Sequence, residues 1–314
     1  MKFEWGLSLL GPRVPMTVAV WPSAINLRAG LELLKPITWF PPMWAYGCGA
    51  LSLGSGPTPW LTVLAGIVLA GPLLCGTSQA VNDWFDRHVD AINEPQRPIP
   101  SGRLPGTLGL RIACLWSALS LIVAGLLGPT VFIASLVGLI LAWGYSAPPL
   151  RFKNNGWLGN AACGFAYETL PWLTGAAVIA GTSWPDYSLS LVAIATLYGL
   201  GAHGIMTLND FKALEGDRCL GVASLPVQLG PARAAQLACA VMALPQLGVI
   251  ALLLQLKLSW AALTIAALLL GQLLAMPRLL SDPQRFAPWY NGVGVTLYVL
   301  GMLTAALALR SLAL

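Results

Sequence analysis

Residues 82–90 read Asn82-Asp83-Trp84-Phe85-Asp86-Arg87-His88-Val89-Asp90, three carboxylates and a carboxamide in a chain that is otherwise mostly apolar. On a helix turning 100° per residue, Asn82, Asp86, Asp90 and Asp83 fall at roughly 0°, 40°, 80° and 100°, so one arc carries all four. Oxygen-bearing side chains crowded on one arc repel unless a hard cation sits among them, and such donors suit Mg²⁺. A solvated helix end is the plain alternative. A second copy weakens that alternative: Asn82-Asp83-x-x-Asp86-x-x-x-Asp90 returns as Asn209-Asp210-x-x-Ala213-x-x-x-Asp217, with one Asp replaced by Ala213. If Gly216 ends or bends this helix, Asp217 reaches the site from a loop.

With Glu94, the two regions hold seven of the chain's twelve acids. Two acidic clusters facing each other in a low-dielectric setting would not hold together empty. Mg²⁺ is commonly shared between carboxylates and a substrate's phosphate oxygens. A diphosphate clamped between two Mg²⁺-carrying helices balances these charges. Arg97, Lys153, Lys212 and Arg218 are candidate diphosphate contacts, Arg through paired donors and Lys as a point charge. Arg103 and Arg151 read rather as charges that set membrane topology.

The elements that position these residues are membrane spans. The chain is 57% hydrophobic and 9% charged, against roughly 25% charged in a soluble domain. Apolar runs of about 20 residues recur, so the fold class is an all-α polytopic membrane protein. Nine spans are expected at residues 37–53, 60–81, 107–127, 130–145, 157–180, 187–208, 234–256, 259–276 and 289–309. Breaks fall where Gly, Pro and polar residues cluster, at 54–59, 128–129, 181–185 and 282–288. The N-terminus and the loops after spans two, four, six and eight hold nearly all the Lys and Arg, Lys257 and Arg310 being exceptions. The positive-inside rule places those segments in the cytoplasm and the C-terminus outside. Both motifs then exit their spans on the cytoplasmic side, four spans apart, as a parallel repeat.

Residues 1–35 do not form a cleavable signal, because Pro12, Pro15 and Pro22 interrupt the apolar run. Trp5, Arg13, Trp21, Arg28 and Lys35 suggest a cytoplasmic or interfacial segment, leaving 36–314 as a single transmembrane domain. The six cysteines form no Cys-x-x-Cys pair and read as small apolar packing residues. No basic helix or aromatic-basic interleaving supports nucleic-acid binding.

Two Asn-Asp motifs on spans two and six of nine resemble the UbiA-type intramembrane prenyltransferases. The longer strings are narrower. Asn82-Asp-Trp-Phe-Asp-Arg-His-Val-Asp-Ala-Ile-Asn-Glu-Pro-Gln-Arg-Pro-Ile-Pro-Ser-Gly-Arg103 looks like the chlorophyll and bacteriochlorophyll synthases. So do residues 145–153, Gly201-Ala-His-Gly204, residues 209–218 and Ser224-Leu-Pro-Val227. The resemblance covers roughly residues 35–300. It implies a helical bundle with a central cavity opening to the cytoplasmic side, in a bacterial inner (photosynthetic) membrane. It implies Mg²⁺ as cofactor. The implied reaction esterifies the propionate of bacteriochlorophyllide, or of chlorophyllide, with geranylgeranyl or phytyl diphosphate. Carried over, Asn82 and Asp86 would ligate one Mg²⁺ with Asp83 and Asp90 in support, and Asp210 and Asp217 the second, beside Asn209. Many aromatic prenyltransferases of the superfamily have Asp where Ala213 stands, so the second metal site is short of a ligand.

Two polar residues lie inside spans. His203 reads either as an axial ligand to a pigment's central Mg, with the neighbouring glycines leaving space for a flat ring, or as an interhelical hydrogen-bonding residue. Glu168 reads either as a group that orients a pigment substituent or as one that pairs with another span. The thirteen Trp fit interfacial belts and packing better than a pigment cradle. A secondary transporter fits poorly, since its coupling residues lie near the midplane, commonly in inverted repeats. A pigment-binding structural protein would leave the acid clusters unexplained.

Overall fold

The computed structural model describes residues 26–53, 59–181 and 188–312. Trp5, Arg13 and Trp21 lie outside the described residues. Asn26 caps a short helix α1 (Leu27–Leu33), its carboxamide oxygen accepting from the Ala29 N–H at 3.0 Å. Ala29, Leu33 and Leu34 are buried with Ala80, Val81, Leu104 and Ala113, so this segment packs on the bundle. Lys35 and a 3₁₀ turn, Pro36–Thr38, then lead into α2 (Phe40–Leu51).

Helices α3 (Trp60–Val68) and α4 (Gly76–Asn93) are joined by a π-helical segment, Leu69–Cys75, into one rod. Pro72 lies in that segment. Proline offers no N–H and its ring meets the carbonyl one turn back, and a widened turn absorbs both defects. The rod reaches beyond the expected span, to Asn93, and carries the whole first motif on continuous helix.

Helices α5 (Leu108–Leu127) and α6 (Pro129–Ser146) turn back on each other at Gly128, whose φ of 122° favours glycine. A second π-helical segment, Phe165–Thr169, joins α7 (Gly156–Gly164) to α8 (Leu170–Ala180). The second motif begins at the end of α9 (Ser188–Asp210), passes a 3₁₀ turn, Phe211–Ala213, and continues on α10 (Leu214–Leu220). Gly216 therefore sits inside α10, and the break comes one turn earlier than Gly216 suggested. A short α11 (Leu225–Leu229) precedes α12 (Pro231–Gln255), α13 (Ser259–Ser281) and α14 (Pro283–Arg310).

Among the described residues, seven rods are long and apolar enough to cross a bilayer. They match expected spans two, three, four, six, seven, eight and nine. The first expected span is helical for the 12 residues Phe40–Leu51, about 18 Å of helix against a hydrocarbon core of about 30 Å. The fifth is helical through α7 and α8 but carries Asn160, Glu168 and Thr169. Outward-facing Leu61, Leu64, Ile122, Leu126, Leu263 and Leu274 are exposed, as suits a bilayer solvent.

Small residues let the rods approach closely. A Cβ on Gly49 would lie 1.9 Å from the Trp172 carbonyl oxygen, and one on Gly164 2.4 Å from that of Gly199. These contacts bind α2 to α8 and α7 to α9. In the core, Trp172 stacks on Tyr198 at 5.7 Å, and Tyr298 meets Tyr198 edge-on at 5.2 Å. At the motif end, an isolated bridge joins Asn155 to Ala223. It pins the loop after α6 beside the second motif.

Candidate active site

The rods enclose a cavity of about 1380 Å³ that reaches both motifs. It exceeds the roughly 300–1,000 Å³ of an ordinary small-ligand pocket. Asn82, Asp86 and Asp90 line it from α4, while Asn209, Asp210 and Asp217 line it from α9 and α10. The two copies thus face one space. Asp83 does not line the cavity; it is 1% exposed and held by Lys35 at 2.6 Å.

Each first-motif carboxylate is already partnered. Asn82 donates through Nδ2 to Asp86 at 2.9 Å and to the Ser146 hydroxyl at 3.2 Å, leaving its carboxamide oxygen for a metal. Lys153 donates to the other Asp86 oxygen, and the Arg151 guanidinium stands 3.9 Å from it. Arg97 donates to Asp90 at 2.8 Å, to Asp83 at 3.4 Å, and through two nitrogens to Glu94. Asp83, Asp86, Asp90 and Glu94 are therefore matched by Lys35, Arg97, Arg151 and Lys153. Burial pulls the Lys153 ammonium below the ordinary lysine range, against the opposing pull of Asp86. Burial also works against the Arg97 charge, but its hydrogen bonds to Glu94 and the nearby Asp83 and Asp90 outweigh that and hold it above the ordinary value.

The second cluster is held mostly by amides. Asn160 on α7 donates to Asp210 and to the Thr207 hydroxyl, each at 3.2 Å. Asn291 on α14 donates to the Asn209 carboxamide oxygen at 2.8 Å. Lys212 and Ala213 also line the cavity. Arg218 pairs with Glu215 at 3.2 Å and Arg103 with Glu32 at 2.6 Å, and neither arginine is among the cavity residues. Glu168 lines the cavity, is 5% exposed, and its Oε2 has no hydrogen-bond partner. His203 does not line it; its ring lies 5.9 Å from that of Trp157.

These contacts meet a family match. The UbiA prenyltransferase family model matches residues 39–292. The chain belongs to the UbiA prenyltransferase family. A bacteriochlorophyll synthase 33 kDa chain from Cereibacter sphaeroides is 58% identical over 286 residues, 91% of this chain and 94% of that one. A chloroplastic chlorophyll synthase from Arabidopsis thaliana is 39% identical over 88% of this chain and 73% of its own length. A UbiA homologue from Archaeoglobus fulgidus, solved with DMAPP and Mg²⁺, shares the fold with a TM-score of 0.67. That pair is 21% identical, with 88% of this chain and 99% of the other aligned. This UbiA member is thus a multi-pass membrane prenyltransferase.

Mg²⁺ fits the donor set. Among the described residues, no three acids, histidines or cysteines stand close enough to cage an ion. Mg²⁺ needs no such cage, because it is usually held by one or two carboxylates plus substrate phosphate and water. Asn82 with Asp86, and Asp210 with Asp217, offer hard oxygen donors on opposite walls.

The sequence under-reads four residues. In sequence Lys35 reads as an interfacial anchor and Arg151 as a topology charge, yet both line the cavity. Asn160 and Asn291 belong to no motif, yet an Asn inside an apolar span is itself a signal that a polar partner waits nearby.

Proposed function

We infer that the chain is a bacteriochlorophyll synthase, which esterifies the propionate of bacteriochlorophyllide with geranylgeranyl or phytyl diphosphate and releases diphosphate. The observation that carries this is the placement of Asp86 and Asp210 on facing walls of one cavity. The margin of 58% over 39% identity favours the bacterial pigment over chlorophyllide. In this reading α1 and residues 36–314 work as one prenyltransferase unit. The motif end faces the cytoplasm of a bacterial inner, photosynthetic membrane.

Asn82 and Asp86 would hold one Mg²⁺, and Asp210 and Asp217 the other, with Asn160 and Asn291 orienting the second set. Bound there, Mg²⁺ supplies charge neutralisation for the leaving diphosphate. Lys153 and Arg151, which rest on Asp86, would offer their charges to the phosphate oxygens from that wall, and Lys212 would do so beside the second motif. Arg97 holds Asp90 and Asp83 in place through its hydrogen bonds. These preorganised charges act where negative charge builds as the C1–O bond of the allylic diphosphate breaks. Apolar walls keep water from that carbon. The propionate, with an ordinary pKa near 4.3, is already ionised at neutral pH and attacks without a general base. The missing carboxylate at Ala213 is consistent with a reaction in which no ring proton must leave.

The test incubates the purified chain with geranylgeranyl diphosphate, Mg²⁺ and either bacteriochlorophyllide or chlorophyllide, and separates products by chromatography. A bacteriochlorophyll ester formed faster than the chlorophyll ester is expected. No ester from either acceptor overturns the reading.

A further inference from the structure

The acids and cations of the two motifs serve metal and diphosphate, and the attacking carboxylate needs a place of its own. It must stand on the side of the allylic C1 away from the departing oxygen, about 3–3.5 Å from that carbon. With the diphosphate held at the level of Asn82, that place lies one step inward, toward the bilayer interior.

The polar arc of α4 continues there. Gln79 stands three residues before Asn82, about 4.5 Å inward along the helix, and falls at roughly 60° on the wheel that has Asn82 at 0° and Asp86 at 40°. It belongs to α4 (Gly76–Asn93), beyond the π-helical segment, so its register with the motif is that of regular helix. Gln79 is half-buried and lines the same cavity as Asn82 and Asp86. Its partner comes from another rod: Gln79 donates through Nε2 to the Tyr167 hydroxyl at 3.2 Å, and the Cys75 thiol approaches the same oxygen as a donor at 3.6 Å. Tyr167, also half-buried and lining the cavity, lies in the π-helical segment that continues α7, the helix whose Asn160 holds Asp210. The pair therefore joins the first-motif rod to the rod that supports the second motif.

Donors remain to be used at this pair. Gln79 Nε2 carries a second hydrogen, and Tyr167 Oη receives from both neighbours and so has its own proton to give. A prenyl tail has no acceptor for either hydrogen. A carboxylate accepts both, and its charge makes such bonds stronger than neutral ones. Uncharged donors also orient the nucleophile without an ion pair that would stabilise its ground state at the expense of attack.

We propose that Gln79 and Tyr167 together bind the propionate carboxylate of the acceptor and aim it at the allylic C1. This rests on the acceptor reading of the preceding subsection and adds the residues that hold the nucleophile. The same pair selects for a free acid, because a site that hydrogen-bonds a carboxylate binds an analogue with that group masked less well.

The test uses the full-length protein with bacteriochlorophyllide and with its propionate methyl ester, each titrated by quenching of tryptophan fluorescence. The wild-type chain is expected to bind the acid about tenfold more tightly than the ester, the scale of hydrogen bonds to a charged group. Gln79→Leu should cut that preference to about threefold or less, and Tyr167→Phe, which removes one oxygen, should reduce it about threefold. In turnover with geranylgeranyl diphosphate and Mg²⁺, Gln79→Leu should raise KM for the pigment about tenfold and leave KM for the diphosphate nearly unchanged. Tyr167→Phe decides the matter if the leucine variant does not fold. No preference for the acid in the wild-type chain, an unchanged preference in the variants that fold, or an equal rise in both KM values overturns the proposal. Failure of the wild-type chain to esterify the pigment overturns the acceptor reading instead.

Discussion

At Asp86 one carboxylate meets Asn82, Lys153 and Arg151 together. Its removal costs a metal donor and leaves two cations without their resting partner. Asp86→Ala is expected to lower kcat by about 10²–10³-fold, the scale of losing one preorganised electrostatic group. A Mg²⁺ titration checks the cause: the variant should need more metal for its residual rate. Arg97 differs, since it holds carboxylates in place rather than binding metal. Arg97→Met leaves the buried Asp90 without its charge partner, while Asp83 keeps Lys35, and should destabilise the protein by about 3 kcal/mol. Thermal unfolding in detergent measures this, and adding Asp90→Asn should recover part of the loss. The Asn-Asp motifs were legible because type and spacing sit in one short string. Lys35 on Asp83 and Asn160 on Asp210 were not, because each pair is separated by about fifty residues that a single sequence does not fold.

The rods set those pairs in register. Strings of apolar residues told where most rods lie, yet not how they bend. Phe211-Lys212-Ala213 contains no glycine or proline, so the 3₁₀ turn that separates Asp210 from α10 had no local marker. That turn also breaks the helical register between the two motif copies, and Ala213 and Asp217 both still line the cavity. The π-helical segments are similar: Pro72 marks one, and Phe165–Thr169 has no breaker of its own. Close packing is the rods' other demand. Gly164→Val would push a side chain into the Gly199 carbonyl and force α7 from α9. It should cost about 1–3 kcal/mol and pull Asn160 off Asp210, lowering both melting temperature and activity. A Cβ on Gly292 meets nothing within 4 Å, so Gly292→Ala should be neutral or stabilising by up to about 1 kcal/mol in the same assay.

Over the whole molecule, charge is gathered at one end. Lys35, Arg97, Arg151, Lys153 and Lys212 surround the acid clusters, and Arg103, Arg218 and Arg233 lie close by in the chain. Lys257 sits at the far end of α12 and Arg310 at the far end of α14. One distribution thus serves two physical demands, since cations that balance the acids also satisfy the bias toward a cytoplasmic face. Cys219 tests the orientation directly. It is exposed on α10, immediately after the second motif, whereas Cys48, Cys75, Cys163 and Cys239 are buried and Cys114 lies on the apolar rod α5. In a variant keeping Cys219 alone, a membrane-impermeant maleimide should label inverted membrane vesicles and leave intact spheroplasts unlabelled. Labelling of spheroplasts instead would place the acid clusters on the outer face and overturn the cytoplasmic orientation.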